Sequence, residues 1–372
     1  MRLQPLAGDD PREVLEGIRS ALAGGPALGL GMLPTHTDEV PEGTAVVIAT
    51  SGSSGVPKQV VLSADALRAS AHATAARVGS GRWVLALPAG YVAGLQVLVR
   101  SLLAGTHPVM LEGRFSPEGF AAATLQHTGG PELYTSMVPA QLTTLLDAAA
   151  DPVVLAALRA YRAVLVGGQA LPAHIADRAL ELGVALVRTY GASETSGGCV
   201  YDGVPLDGVT VREIDGELRI AGPMLADGYL GDATLTERAF VVDDRGERWY
   251  RTGDHGVVED GVVRVHGRID NVIVSGGINI SLDRVERIVR GVPGLEQAVV
   301  VGVPDHQWGE ASVIFAPASG RDGARMLEDA RARVAAEIGR HARPMMIETS
   351  MQMPLLSSGK PDREAIRRLV TD

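Results

Sequence analysis

The chain has 372 residues and a net charge of −10, from 44 Asp and Glu against 34 Lys and Arg. That balance argues against a nucleic-acid binder or a protein held on anionic lipid, since both reward clustered positive charge. No apolar run reaches the roughly 18 residues of a membrane span. Residues before Arg12 lack the apolar core of a signal peptide, and the single cysteine, Cys199, has no internal disulfide partner. The expectation is a cytoplasmic globular protein of two or three domains. Of the basic residues, 32 are Arg and two are Lys, at positions 58 and 360. Codon bias accounts for the arginines; it does not say why both lysines lie in Gly/Ser-rich loops.

From Thr44 onward short β-branched runs alternate with longer Ala/Leu-rich runs. Residues 44–50 read as a buried strand and 63–78 as a helix capped by Ser63. A strand at 83–87, a helix at 92–104 and a strand at 107–111 follow. Ser116 and Pro117 open the next helix. Then come a strand at 132–138, a helix at 140–149, a strand at 163–166, a helix from Pro172 and a strand at 184–189. Such alternation means βα units and a largely parallel sheet with helices on both faces.

After Gly191 the pattern changes to short strands, with turn signals at Asp215-Gly216, Asp227-Gly228 and Arg245-Gly246. A β-rich part over about 205–267 is expected. Beyond Arg268 come a strand, the Gly276-Gly277 turn, a helix from Ser281 and strands at 297–303 and 312–316. A charged helix at 322–338 and a last helix from Asp362 complete a compact α+β unit. The expected organisation is an α/β N-terminal domain of βα-type sheets over 1–267, with its β-rich part, and a smaller C-terminal domain over 268–372.

The strongest local signal is Thr50-Ser51-Gly52-Ser53-Ser54-Gly55-Val56-Pro57-Lys58, directly after a strand. Glycines allow close backbone approach, hydroxyls and N–H groups can ring anionic oxygens, and lysine adds a point charge. It is not the common NTPase loop, because Pro57 precedes Lys58 and no Gly-Lys-Ser/Thr enters a helix.

This loop resembles the signature of the adenylate-forming superfamily of acyl- and aryl-CoA synthetases, peptide-synthetase adenylation domains and luciferases. Four further segments match in order. They are Tyr190-Gly191-Ala192-Ser193-Glu194, Tyr250-Arg251-Thr252-Gly253-Asp254, Gly267-Arg268-Ile269-Asp270 with Gly276-Gly277, and Ser358-Gly359-Lys360. The resemblance covers the chain from about Thr44 to its end. It implies a two-step reaction in which a carboxylate attacks the α-phosphate of ATP and a thiol then displaces AMP.

The resemblance also implies roles. Thr50, Ser51, Gly52, Ser53, Ser54, Gly55 and Lys58 would hold phosphates. Glu194 would help hold Mg²⁺. Gly168, Gln169 and Tyr190 would line the adenine side, and Gly191 and Ser193 would join them in binding ATP or AMP. Asp254 would accept the ribose hydroxyls, Arg268 would add a ribose or phosphate contact, and Asp270 would serve as the hinge (268–271) of a mobile C-terminal domain. Lys360 would bridge the attacking carboxylate and the α-phosphate. Gly276 and Gly277 would line the coenzyme A tunnel, although a plain β-turn explains them equally.

For the acid, Arg100 is the outlier on an otherwise apolar helix. It reads either as a snorkelling surface arginine or as a fork for a second substrate carboxylate. The segment from Ser193 to Gly203, with Pro205 to Gly208, resembles o-succinylbenzoate–CoA ligases of menaquinone biosynthesis. Ser196, Gly197 and Gly198 would then border the acyl pocket. The alternatives are a ligase for another carboxylic acid, an enzyme loading a carrier protein, and a nucleotide-binding regulator without catalysis. ATP, coenzyme A and a small carboxylic acid are the expected partners, with no nucleic acid and no membrane insertion. A homo-oligomer stays open.

Overall fold

The computed structural model describes residues 1–8, 10–31, 39–50, 58–318, 320–356 and 361–371. By internal packing the chain divides into two units. The first is Met1–Arg212 with Arg219–Thr252 and Val258–Val263; the second is Glu213–Leu218 with Gly253–Val257 and Arg264–Asp372.

The strand–helix alternation is present, but in the first unit it builds two sheets rather than one. One sheet runs Leu3–Leu6, Ala27–Leu30, Thr44–Thr50, Lys58–Ser63, Gly228–Tyr229. Its first three strands are parallel and its last two are antiparallel. The sequence reading had no strand at 58–63. Val60, Val61 and Leu62 are all buried, so the segment shows none of the period-2 alternation of a half-buried strand. Thr50 pairs with Lys58 at the end of this antiparallel ladder. Asp227-Gly228, expected as a turn, instead leads into the edge strand, where Gly228 faces Val61 and Tyr229 faces Val60.

The other sheet has seven strands, in the order Val204–Pro205, Gly197–Tyr201, Leu186–Ala192, Tyr161–Val166, Leu133–Met137, Arg82–Leu85, Val109–Met110. The last five are parallel, and the first two turn back antiparallel. Val84, Phe120, Leu142, Leu158 and Val164 join in the core here. Local chemistry sets the helix starts. Ser63 accepts from Ala66 N at 3.1 Å and Ser116 from Gly119 N at 3.1 Å. Pro117, Pro139 and Pro152 occupy first turns, where a missing N–H costs nothing. The helices Pro11–Leu22 and Pro152–Arg159 lie outside the sequence expectation; each is opened by an aspartate cap, Asp10 and Asp151.

In the second unit a sheet runs Ile278–Ser281, Val272–Ser275, Gly309–Pro317, Val299–Asp305, with Met346–Ser350 parallel to Gly309–Pro317. Along Val299–Asp305 the side chains alternate between two cores. Val300 packs with Val285, Val289 and Ala330 of the helices Leu282–Val289 and Gly323–Glu337. Val299, Val301 and Val303 pack with Ile366 of the helix Arg363–Thr371. Among the described residues no helix is long and apolar enough to cross a membrane.

Candidate active site

Glu194 lies in a single helical turn, Ser193–Thr195, between the strands Leu186–Ala192 and Gly197–Tyr201. The turn is tight for identifiable reasons. Ala192 N donates to Thr195 Oγ1 at 2.8 Å, and Thr195 Oγ1 donates to Gly197 O at 2.7 Å. A Cβ on Gly191 would stand 2.1 Å from Gly197 O, so only glycine fits. Ser196 takes the left-handed conformation at φ 51°. The result fixes a carboxylate that is 8 % exposed.

Tyr229 donates its hydroxyl to Glu194 Oε1 at 2.8 Å. The ring of the same tyrosine lies 5.7 Å from Lys58 Nζ, within cation–π range. One side chain therefore touches both Lys58 and the Glu194 carboxylate. Thr50 stands across the hairpin, its Oγ1 donating to Lys58 O at 3.3 Å. Ser51, Gly52, Ser53, Ser54 and Gly55 lie outside the described residues. Tyr190 and Ser193 are half-buried, with Tyr190 opposite Val200 in the ladder. Gly168, at φ 82°, is exposed after the strand Tyr161–Val166, and Gln169 is half-buried.

Arg100 is 6 % exposed on the helix Val92–Leu103, which rules out a snorkelling surface arginine. Its guanidinium carbon lies 4.9 Å from the ring centroid of Trp83, and Nη2 donates to Tyr201 Oη at 3.4 Å. Among the described residues its Nε has no hydrogen-bond partner, and Gln96 Oε1, one turn away, is likewise unmatched. Burial lowers the guanidinium pKa and the Tyr201 hydroxyl partly offsets that.

A hydrogen-bonded chain leads from Arg100 to the Glu194 turn. Tyr201 Oη meets Thr74 Oγ1 at 2.9 Å, Thr74 Oγ1 donates to Ser70 O at 3.0 Å, and Ser70 Oγ donates to Ser196 O at 3.1 Å. Gln96 packs so closely that a Cβ on Gly197 would meet its Cγ at 3.4 Å. The structure thus brings together Arg100, Ser196 and Gly197, with Gly198 and Cys199 lining a small cavity beside Ser70 and Met224. Ser196 itself is fully buried and its hydroxyl is committed to Met224 O at 2.8 Å. Only its backbone could therefore shape a pocket wall. Burial pushes the Cys199 thiol up to about 12, so it is no nucleophile.

In the second unit, Arg268 gathers the other motif residues. It forms a two-pronged ion pair with Asp270, Nε to Oδ1 and Nη2 to Oδ2 both at 3.0 Å, and reaches Asp254 Oδ1 at 3.4 Å. Asp254 is the more enclosed carboxylate, with its side chain 17 % exposed. Gly276 and Gly277 have φ of 57° and 79° and join the strands Val272–Ser275 and Ile278–Ser281. Two successive positive φ values are what a two-residue hairpin turn demands. Lys360 lies outside the described residues. Sequence reasoning missed Tyr229 and Gln96. Neither has a local signal, since each matters only through a partner 35 or more positions away or across a helix.

The AMP-binding enzyme model matches residues 10–230, and the AMP-binding enzyme C-terminal domain model matches residues 284–360. The chain is 39% identical over 340 residues to a Mycobacterium tuberculosis (strain H37Rv) protein named "Probable 2-succinylbenzoate--CoA ligase", covering 89% of this chain and 86% of the relative. It is 30% identical over 371 residues to the feruloyl-CoA synthase of an Amycolatopsis species, covering 90% and 71%. A solved o-succinylbenzoate CoA synthetase (MenE) from Bacillus subtilis, in complex with the acyl-adenylate intermediate OSB-AMP, shares the fold. Its TM-score is 0.76 over 98% of this chain and 83% of that one, at 23% identity.

Proposed function

The chain belongs to the AMP-binding enzyme family, and from that premise we propose that it joins o-succinylbenzoate to coenzyme A at the expense of ATP. One carboxylate of the acid attacks the α-phosphorus and pyrophosphate leaves. The thiolate of coenzyme A then attacks the acyl-adenylate carbonyl, and AMP leaves. Arg100 carries the choice of acid. A buried guanidinium with no carboxylate against it among the described residues calls for an anion from outside. A dicarboxylate has one group to react and one to bind there. A monocarboxylic acid such as ferulate has none to spare.

The remaining roles follow the motif positions. Lys58 with Thr50, Ser51, Gly52, Ser53, Ser54 and Gly55 holds the phosphates, Gly168, Gln169 and Tyr190 take adenine, and Gly191 and Ser193 complete the nucleotide site. Asp254 and Arg268 take the ribose, Asp270 is the hinge, and Gly276 and Gly277 pass the pantetheine arm of coenzyme A. Lys360 bridges the attacking carboxylate and the α-phosphate, where a compact ammonium on a flexible stem follows charge as it shifts between oxygens.

The donor set also suits Mg²⁺. No group of three His, Cys, Asp or Glu side chains that could cage a cation occurs among the described residues, and the turn offers the single carboxylate of Glu194. Mg²⁺ typically takes one or two carboxylates, phosphate oxygens and water. When bound it would neutralise charge on the phosphates.

A pyrophosphate-release assay over carboxylic acids with coenzyme A tests the reading. Turnover with o-succinylbenzoate well above that with benzoate, ferulate or fatty acids is expected; the reverse order would overturn it. Lys360→Ala should cut pyrophosphate release by about 10²–10³-fold or more, with ATP binding by calorimetry retained.

A further inference from the structure

We propose that Tyr229 is a positioning residue that links the phosphate-loop lysine to the metal-binding carboxylate, so that Lys58 and Glu194 are set in place together. The inference rests on the functional reading above and adds a residue that no motif in it contains. Tyr229 is 7 % exposed, and three contacts fix it. Its backbone N donates to Thr236 Oγ1 at 2.9 Å, its strand pairs with Val60 two residues after Lys58, and its ring packs against Phe240 at 6.0 Å. With the ring held, its hydroxyl can only point where the fold aims it, and that is Glu194 Oε1 at 2.8 Å.

A charge-assisted hydrogen bond orients a carboxylate and removes rotamers it would otherwise sample. The same ring presents its face to Lys58 Nζ at 5.7 Å. The backbone N–H of Ala226, three positions before Tyr229, closes the arrangement by donating to Glu194 O at 2.8 Å. The arrangement predicts that loss of the hydroxyl acts on metal-assisted nucleotide binding and not on nucleotide binding as such.

The test is calorimetric titration of ATP into the full chain, once with Mg²⁺ and once with EDTA, for wild type and Tyr229→Phe. The variant keeps the ring and therefore the packing against Phe240. Affinity for ATP with Mg²⁺ should fall about tenfold, the worth of one hydrogen bond to a charged group. Affinity in EDTA should stay within about twofold, and the Mg²⁺ concentration giving half-maximal pyrophosphate release should rise by the same factor of about ten. In a Glu194→Gln background, Tyr229→Phe should change the metal dependence no further, because the two act as one unit. Tyr229→Leu should also weaken ATP binding in EDTA a few-fold, through the lost face under Lys58. Equal losses with and without Mg²⁺, or full additivity with Glu194→Gln, would overturn the proposal. A wild type whose ATP binding ignores Mg²⁺ would overturn the functional reading with it; a normal wild type beside an unchanged Tyr229→Phe would overturn this inference alone.

Discussion

Arg268 holds two carboxylates and stays exposed, whereas Arg100 is buried on the face of Trp83 with no carboxylate against it among the described residues. The two guanidiniums are chemically identical, and their surroundings assign them opposite work. A cation already paired near water contributes little, since solvent screens the pair. A cation taken out of water and left unpaired costs stability, and the fold keeps it only where something else returns the lost interaction. The first is a clasp within its own unit. The second is, on the function proposed above, the receptor for an anion.

The largest expected effect breaks the comparison at Arg100. Arg100→Met should raise the KM for the acid by about 10²-fold, the range for truncating one partner of a buried charge pair, with the KM for ATP within about twofold. The same change should stabilise the fold by about 1–3 kcal/mol in denaturant melts, because it removes an uncompensated buried charge. Reduced stability together with an unchanged KM would place Arg100 among ordinary core residues. A middle effect comes from Tyr201, which is 2 % exposed and gives Arg100 its hydroxyl acceptor. Tyr201→Phe should cost about 1–2 kcal/mol of stability by leaving Thr74 and Arg100 short of a partner, and should raise the acid KM only a few-fold. The smallest effect lies at the clasp. Asp270→Asn should shift unfolding by less than about 1 kcal/mol while changing the ratio of the two half-reaction rates, measured separately as pyrophosphate release and as thioester formation from supplied acyl-adenylate. An unaltered ratio would remove Asp270 from the hinge.

Features settled by neighbours in the chain were legible in the sequence. Ser63 and Ser116 cap the helices they were expected to cap, and Ser281, where a helix was expected to begin, caps it; each accepts from a backbone N–H three residues on. Gly276-Gly277 makes the expected turn because φ at both positions is a property of the residues themselves. Features settled by distant partners were not legible. The strand Lys58–Ser63 is covered on both faces and so loses its alternation, and the two-residue strand at Gly228 exists only because Val60 and Val61 lie beside it. The site divides the same way. Glu194 and Asp254 stand inside motifs, whereas the partner of Glu194 is a tyrosine 35 residues away, and the burial of Arg100 depends on Trp83 and Tyr201.

The in-register pairing of Thr50 with Lys58 bears on how such a chain can change over time. A residue inserted between positions 51 and 57 leaves both flanking strands paired as they are. A residue inserted within 58–63 moves every later side chain to the opposite face of the sheet, which would carry Val60 and Leu62 out of their places. Insertions and deletions are therefore open to the loop and closed to the strand that anchors it. Lys58 sits at the border between the two, where drift in length meets a fixed register.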